Sequence, residues 1–338
     1  MCRAAVLSLV LISFGFPWSR SVVSFGAETV LSGGADPTIV FATNAKSEKG
    51  YYVVSTGRGI NLSYSRDLKS WTRLGRIFQQ DVPAWAKKEV PKSKAIWAPD
   101  LTFHDGQYYL YYCVSSFGSQ RSVIGLATNR SIDPSDPEYH WVDHGKVIES
   151  HPGRGHYNAI DPALVVDQKG RWFLFFGSFW SGLKAVAIDP ETGKPPANAE
   201  MVPIAARPRH RAHAIEAPFV IFRDGYYYLF ASWGRCCDGA KSNYQVVVGR
   251  STNPLGPYVD VDGRPMSDGG GTIILSSSQR YRGPGHNSVL TTDDGQWMVH
   301  HTYDMQHLDA HRILQIRPMN WTADGWPKVG QPLTGSFE

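Results

Sequence analysis

The sequence predicts an all-β protein, a five-bladed β-propeller, on three observations. Five segments repeat one pattern, aromatic residues are unusually frequent, and no long segment shows helical periodicity. The 338 residues include 11 Trp, 16 Tyr and 15 Phe beside 33 Gly and 22 Pro, the composition of many short strands joined by tight turns. With 42% hydrophobic and 19% charged residues, the chain is neither disordered nor fibrous.

Each repeat has a polar anchor, an apolar strand, a turn and an aromatic-rich strand. The first runs from Asp36 through DPTIVFA, a turn at Lys49-Gly50, and YYVVST. The second begins at Asp100 with DLTF, turns at His104-Asp105-Gly106 and continues QYYLYYCVSS. The third begins at Asp161 with DPALVV, turns at Lys169-Gly170 and continues RWFLFFGS. The fourth begins at Glu216 with EAPFVIF, turns at Asp224-Gly225 and continues YYYLFAS. The fifth begins at His286 with HNSVLTT, turns at Asp294-Gly295 and continues QWMVHHTY. The anchors stand 64, 61, 55 and 70 residues apart, room for four strands each, and Asp-Gly is a strong hairpin signal. Segments 122–129 and 244–251 read as further strands. A β-sandwich accommodates five similar units poorly, so a radial arrangement is expected.

The ends and the charge bound the cellular context. Met1-Cys2-Arg3 followed by the apolar run Ala4 to Phe16 reads as a secretory leader, with cleavage expected near Ala27 and the propeller domain spanning 28–338. About 13 apolar residues are too few to cross a bilayer, so no membrane anchor is expected. The net charge is +4, of which Arg3 and Arg20 supply two, and no basic run argues for nucleic acid. Cys113, Cys236 and Cys237 would remain after cleavage. Their spacing fits no zinc site, and the adjacent pair reads equally as a vicinal disulfide or as two thiols.

In a propeller the innermost strands line a central channel, so their starts share one mouth. Asp36, Asp100, Asp161, Glu216 and His286 are therefore expected to ring one pocket, walled by Trp97, Ile160, Ile215, Phe179 and Trp180. Four acids crowded together are unfavourable without a use or a counter-ion. An Asp beside Pro can instead simply cap backbone N–H groups, and Asp100 best suits that structural role. Paired carboxylates in an aromatic pocket point to glycoside hydrolysis: one protonates the leaving oxygen while the other activates water or attacks the sugar.

The motifs ADPTIV (35–40), IWAPDL (96–101), NAIDPAL (158–164), GSFWSG (177–182), AIEAPF (214–219) and GPGHNSV (283–289) resemble family 43 of the glycoside hydrolases. They most resemble its secreted arabinan endo-1,5-α-L-arabinanases, and STGRGI (55–60), SSFGSQ (115–120), RCCDG (235–239) and LQIRPMNWTADGWP (314–327) extend the resemblance over nearly the whole mature chain. It implies Asp36 as general base, Glu216 as general acid and Asp161 as the acid that tunes Glu216, in an inverting mechanism. It further implies substrate contacts from Asp36, Gly118, Asn158, Ala159, Ile160, Asp161, Ser178, Phe179 and Trp180. His286 would help hold one calcium ion with waters, and no organic cofactor is expected. The chain departs from the family pattern at Ala35, at Arg58, which could narrow or charge the cleft, and at His213. A monomer acting on arabinan is expected. An exo-acting arabinofuranosidase or β-xylosidase of the same fold is the alternative, and a non-catalytic sugar-binding propeller is the alternative from another class.

Overall fold

The computed structural model describes residues 33–210, 212–306 and 311–333. The leader expected at 1–27, and the domain ends placed at 28 and 338, lie outside the described residues.

Among the described residues, twenty strands form five separate four-stranded antiparallel sheets, each from one contiguous stretch of chain. Blade one comprises β1 (Thr38–Thr43), β2 (Lys49–Ser55), β3 (Asn61–Ser65) and β4 (Thr72–Arg76). Blade two follows a short helix, α1 (Ala84–Glu89), with β5 (Trp97–His104), β6 (Gln107–Val114), β7 (Ser122–Asn129) and β8 (Val142–Ser150). Blade three comprises β9 (Ala163–Val166), β10 (Trp172–Phe176), β11 (Leu183–Ile188) and β12 (Val202–Ala205). Blade four has β13 (Ile215–Arg223), β14 (Tyr226–Trp233), β15 (Gln245–Ser251) and β16 (Thr272–Leu275). Blade five has β17 (Tyr281–Thr292), β18 (Gly295–Asp304), β19 (Ile313–Trp321) and β20 (Pro327–Val329). The first strand of each blade contacts the first strands of both neighbouring blades, and β17 returns to β1, so the ring closes.

The aromatic composition has a clear destination. Among the described residues, five apolar clusters fill the five interfaces between blades, so the second strands of the blades are buried along most of their length. WFLFF of β10 is buried at every position, because rings from one blade fill the space left by the next. Periodicity alone cannot separate such a run from a buried helix, and here its turns decide. Asp105-Gly106 and Asp224-Gly225 both have positive φ at both residues, +46°/+77° and +47°/+84°, as a two-residue type I′ hairpin requires. Two expected turns shift. Lys49-Gly50 already belongs to β2, the chain reversing at 45–47, and Gly295 opens β18 after a turn at Asp293-Asp294.

The inner strands share one backbone device. Asp36, Ala98, Asp161, Ala217 and His286 occupy the same place in blades one to five, and all have φ between +43° and +57°. Non-glycine residues seldom adopt this region, though Asp and His tolerate it better than most. At four of the five, the residue's N–H donates to a side chain of the preceding blade: Ala98 to Thr56, Ala217 to Asp161, His286 to Ser232 and Asp36 to His301. This register corrects the expected anchor set. In blade two the equivalent residue is Ala98, and Asp100 stands two residues further along, away from the pocket. In blade four it is Ala217, and Glu216 stands one residue before it.

Asp100 holds the fold together instead. It is buried and accepts from Leu164 N–H at 2.8 Å, tying blade two to blade three. Burial pushes its carboxyl up to about 7. A group raised above its unfolded value of about 3.9 contributes less stability as pH climbs through that interval. Asp100→Asn keeps an acceptor for Leu164 but cannot ionise. Its melting temperature should fall less between pH 4 and pH 7.5 than that of the parent protein, with activity retained. An unchanged profile in thermal melts across that range would clear Asp100 of the effect.

Candidate active site

The inner-strand starts open onto a cavity of about 650 Å³ at the channel mouth. Asp36, Asp161, Glu216 and His286 all line it, and Asp100 does not. Of the other expected contacts, Gly118, Asn158, Ile160, Ser178, Phe179 and Trp180 line it as well. Ala159 does not: it is fully buried behind the wall, its N–H donating to Ser150 Oγ at 3.0 Å. Ile215 likewise packs into the interface between blades three and four. Arg58 faces solvent beside Asp81, 3.7 Å away, and takes no part in the cavity wall, whereas His213 does.

Asp36 is the most heavily partnered acid. Its Oδ2 accepts from Thr56 Oγ1 at 2.5 Å, and Thr56 Oγ1 in turn accepts from Ala98 N–H at 2.9 Å. Oδ1 faces His301 Nδ1 at 3.2 Å, His286 Nδ1 at 3.3 Å and Arg312 Nη1 at 3.4 Å. Burial alone would raise this carboxyl, but His286, Arg312 and His301 outweigh it and hold it well below the usual carboxylate range. Burial lowers both imidazoles, His301 to about 4, so Arg312 is the partner charged at every working pH. The same His301 Nδ1 lies 3.1 Å from the Asp36 N–H, so one ring nitrogen meets both the backbone and the carboxylate of Asp36. Asp36 is thus prepared as an anion.

Across the mouth the opposite bias rules. Asp161 Oδ2 accepts from Ala217 N–H at 3.2 Å, which sets it beside the strand carrying Glu216. Its carboxyl is pushed well above the ordinary range, first by burial and then by the negative charges of Glu216 and Asp36. Glu216 Oε2 accepts from Ser178 Oγ at 2.7 Å. Gly177, with φ +129°, leads into that serine, and a Cβ there would meet the Gly182 carbonyl at 2.8 Å. The chain then turns through left-handed Phe179 and Trp180, placing both rings in the wall. Asp36 held as an anion across the mouth from Asp161, which is biased to keep its proton, is the kind of contrast that general acid–base chemistry draws on.

Sequence reasoning missed Thr56, His301 and Arg312, although STGRGI and QWMVHHTY contained the first two. His286 presents a single imidazole to the mouth, and among the described residues no group of three or more His, Cys, Asp or Glu is placed to enclose a metal ion. Cys236 and Cys237 are free thiols in the cavity wall. No helix among the described residues is long and apolar enough to cross a membrane.

The family described as Glycosyl hydrolases family 43 matches residues 29–327. An extracellular exo-α-(1→5)-L-arabinofuranosidase of Cellvibrio japonicus is 40% identical over 298 residues, 85% of each chain. An extracellular endo-α-(1→5)-L-arabinanase of Bacillus subtilis is 39% identical over 305 residues, 89% of this chain and 90% of its own. Among solved structures, a Cellvibrio cellulosa α-L-arabinanase complexed with arabinohexaose has a TM-score of 0.82 at 39% identity, covering 87% of this chain and 94% of that one.

Proposed function

The chain belongs to glycosyl hydrolase family 43, and from that premise we propose that it hydrolyses internal α-1,5-L-arabinofuranosidic bonds of debranched arabinan, with inversion at the anomeric carbon. The observation that carries the reading is the opposed bias of two buried carboxyls, Asp36 and Asp161, across one aromatic-walled mouth that Glu216 also lines. In this reading Asp36 takes a proton from water as its oxygen bonds to the anomeric carbon. Glu216 protonates the departing glycosidic oxygen as that bond breaks. Asp161, its own carboxyl pushed up by burial, tunes Glu216 from beside it, and Ala217 N–H fixes Asp161 while Ser178 Oγ fixes Glu216. Sugar rings would lie against Phe179 and Trp180, with polar contacts from Gly118, Asn158 and Ser178. The extracellular relatives and the leader-like first residues support a secreted enzyme, acting as a monomer.

The cleft favours internal cleavage. Its cavity shares Ser116 to Ser119 and Trp180 with a second groove of about 740 Å³ that continues past Val90 and Lys92. A groove longer than one bond suits a polymer passing through it. The exo reading has support of its own in the Cellvibrio japonicus relative. Debranched arabinan decides between them: oligosaccharides of mixed length should appear in the first minutes, whereas an exo enzyme releases a single short product. Glu216→Gln, nearly isosteric, should slow this digestion about 10²–10⁴-fold with the fold retained. Rapid digestion by that variant would remove Glu216 as the acid.

Stereochemistry tests Asp36. An activated water needs the two carboxyls roughly 6.5–9.5 Å apart, against about 5–5.5 Å when one attacks the sugar. Proton NMR of the first product, taken before mutarotation, should show the inverted anomer. A retained anomer would make Asp36 a nucleophile.

The proposal includes a calcium ion at His286. Calcium takes six to eight oxygen ligands, so the residues present fit it only as one imidazole ligand completed by water. Bound there, it would offset the negative potential of the three acids. Exhaustive chelation, checked by elemental analysis, should then lower the melting temperature, and an unchanged melt would remove the ion from the account.

A further inference from the structure

The cavity wall carries a pair of nucleophiles that glycoside hydrolysis does not use. Cys236 and Cys237 follow β14 with their sulfurs 2.6 Å apart. Adjacent side chains on an extended strand point to opposite sides, but Cys237 has φ +63°, a local turn that lets its sulfur face its neighbour's. Cys237 Sγ also lies 3.5 Å from Arg312 Nη1, the same nitrogen that stands 3.4 Å from Asp36 Oδ1. One guanidinium corner is thus divided between a sulfur and the most heavily partnered acid of the site. The hydrogen bond from Cys236, aided by Arg312, holds the Cys237 thiol below its ordinary value, which favours the thiolate that performs exchange.

We propose that Cys236–Cys237 is a modification site, a dithiol that closes to a vicinal disulfide by exchange with a low-molecular-weight disulfide such as glutathione disulfide, and that closure commits Arg312 to Asp36. The Cys237 thiolate attacks one sulfur of glutathione disulfide, forming a mixed disulfide and expelling a glutathione thiolate, which takes up a proton. Cys236, losing its proton, attacks the Cys237 sulfur and expels the second glutathione. Two cysteine thiols are oxidised by two electrons, and one glutathione disulfide becomes two glutathiones. The closed pair carries no negative charge, so nothing on that side competes with Asp36 for the guanidinium. The thiol chemistry is independent of the substrate; only the rate measurement below rests on the arabinan reading.

The full chain is incubated with glutathione disulfide or with a phosphine reductant, alkylated with iodoacetamide and analysed by peptide mass spectrometry. The peptide carrying both cysteines should be unalkylated and two mass units lighter after glutathione disulfide, and doubly alkylated after reduction. Double alkylation in both samples, or a persistent glutathione adduct on Cys237, overturns the modification. Initial rates on debranched arabinan should be several-fold higher for the oxidised than for the reduced enzyme, and Cys236→Ser and Cys237→Ser should each abolish the difference. Equal rates in the two states, or a redox response surviving in either variant, overturn the link through Arg312. Should arabinan prove not to be the substrate, the mass measurement decides the modification by itself.

Discussion

The contact on which the rest depends is the one that joins Asp36 to the last blade. Among the described residues each blade is a single stretch of chain and no strand is exchanged between blades, so the ring is shut by hydrogen bonds across the seam and by the apolar interface between blades five and one. At that seam Asp36 gives its N–H to His301, its carboxylate faces Arg312, and Ser288 Oγ donates to the Pro37 carbonyl at 2.9 Å. The groups that close the fold therefore also set the charge of the acid proposed to activate water. Removing Arg312 would leave a buried carboxylate without its permanent counter-charge and loosen the seam in the same stroke.

The site stores strain where it needs direction. Asp36, Ala98, Asp161, Ala217 and His286 are joined in the left-handed region by Phe179, Trp180, His213 and Cys237, all but Ala98 and Ala217 in the cavity wall. Such conformations cost of order 1–3 kcal/mol each and persist only where the surroundings over-determine them. Here the five interblade cores and the N–H donations across the interfaces do so. A rigid barrel of packed rings can hold carboxyls in opposed states that a looser scaffold would let relax.

Much of this was legible in the residues, and the errors have a common cause. The five repeats announced the five blades because each hairpin carries its own turn chemistry, and Asp36, Asp161, Glu216 and His286 were found at the mouth as the pattern required. Asp100 reads as the second anchor because it is acidic, and as the one suited to a structural role; backbone register makes Ala98 the equivalent position and leaves Asp100 the structural part. The dipeptide Ala-Pro, present in both IWAPDL and AIEAPF, carried that register. Ala159 and Ile215 show the period-two limit: a neighbour of a pocket residue points into the core. Arg312 and His301 lie more than 260 residues from Asp36, and closure of the ring, a property of the whole chain, is what brings them together.

Gly33 N–H donates to the Arg312 carbonyl, and Leu333 N–H to the Ile316 carbonyl. Both ends of the described chain thus dock at β19 of blade five, one on the residue just before it and one within it, four residues apart. Blade order along the polypeptide is consequently arbitrary with respect to the contacts that matter. A circularly permuted chain, spliced between these two points and opened in a loop between blades two and three, would keep all five interfaces. It would also turn the junction at Asp36 into a covalently continuous one, moving the place where the ring can gape away from Asp36 and Arg312.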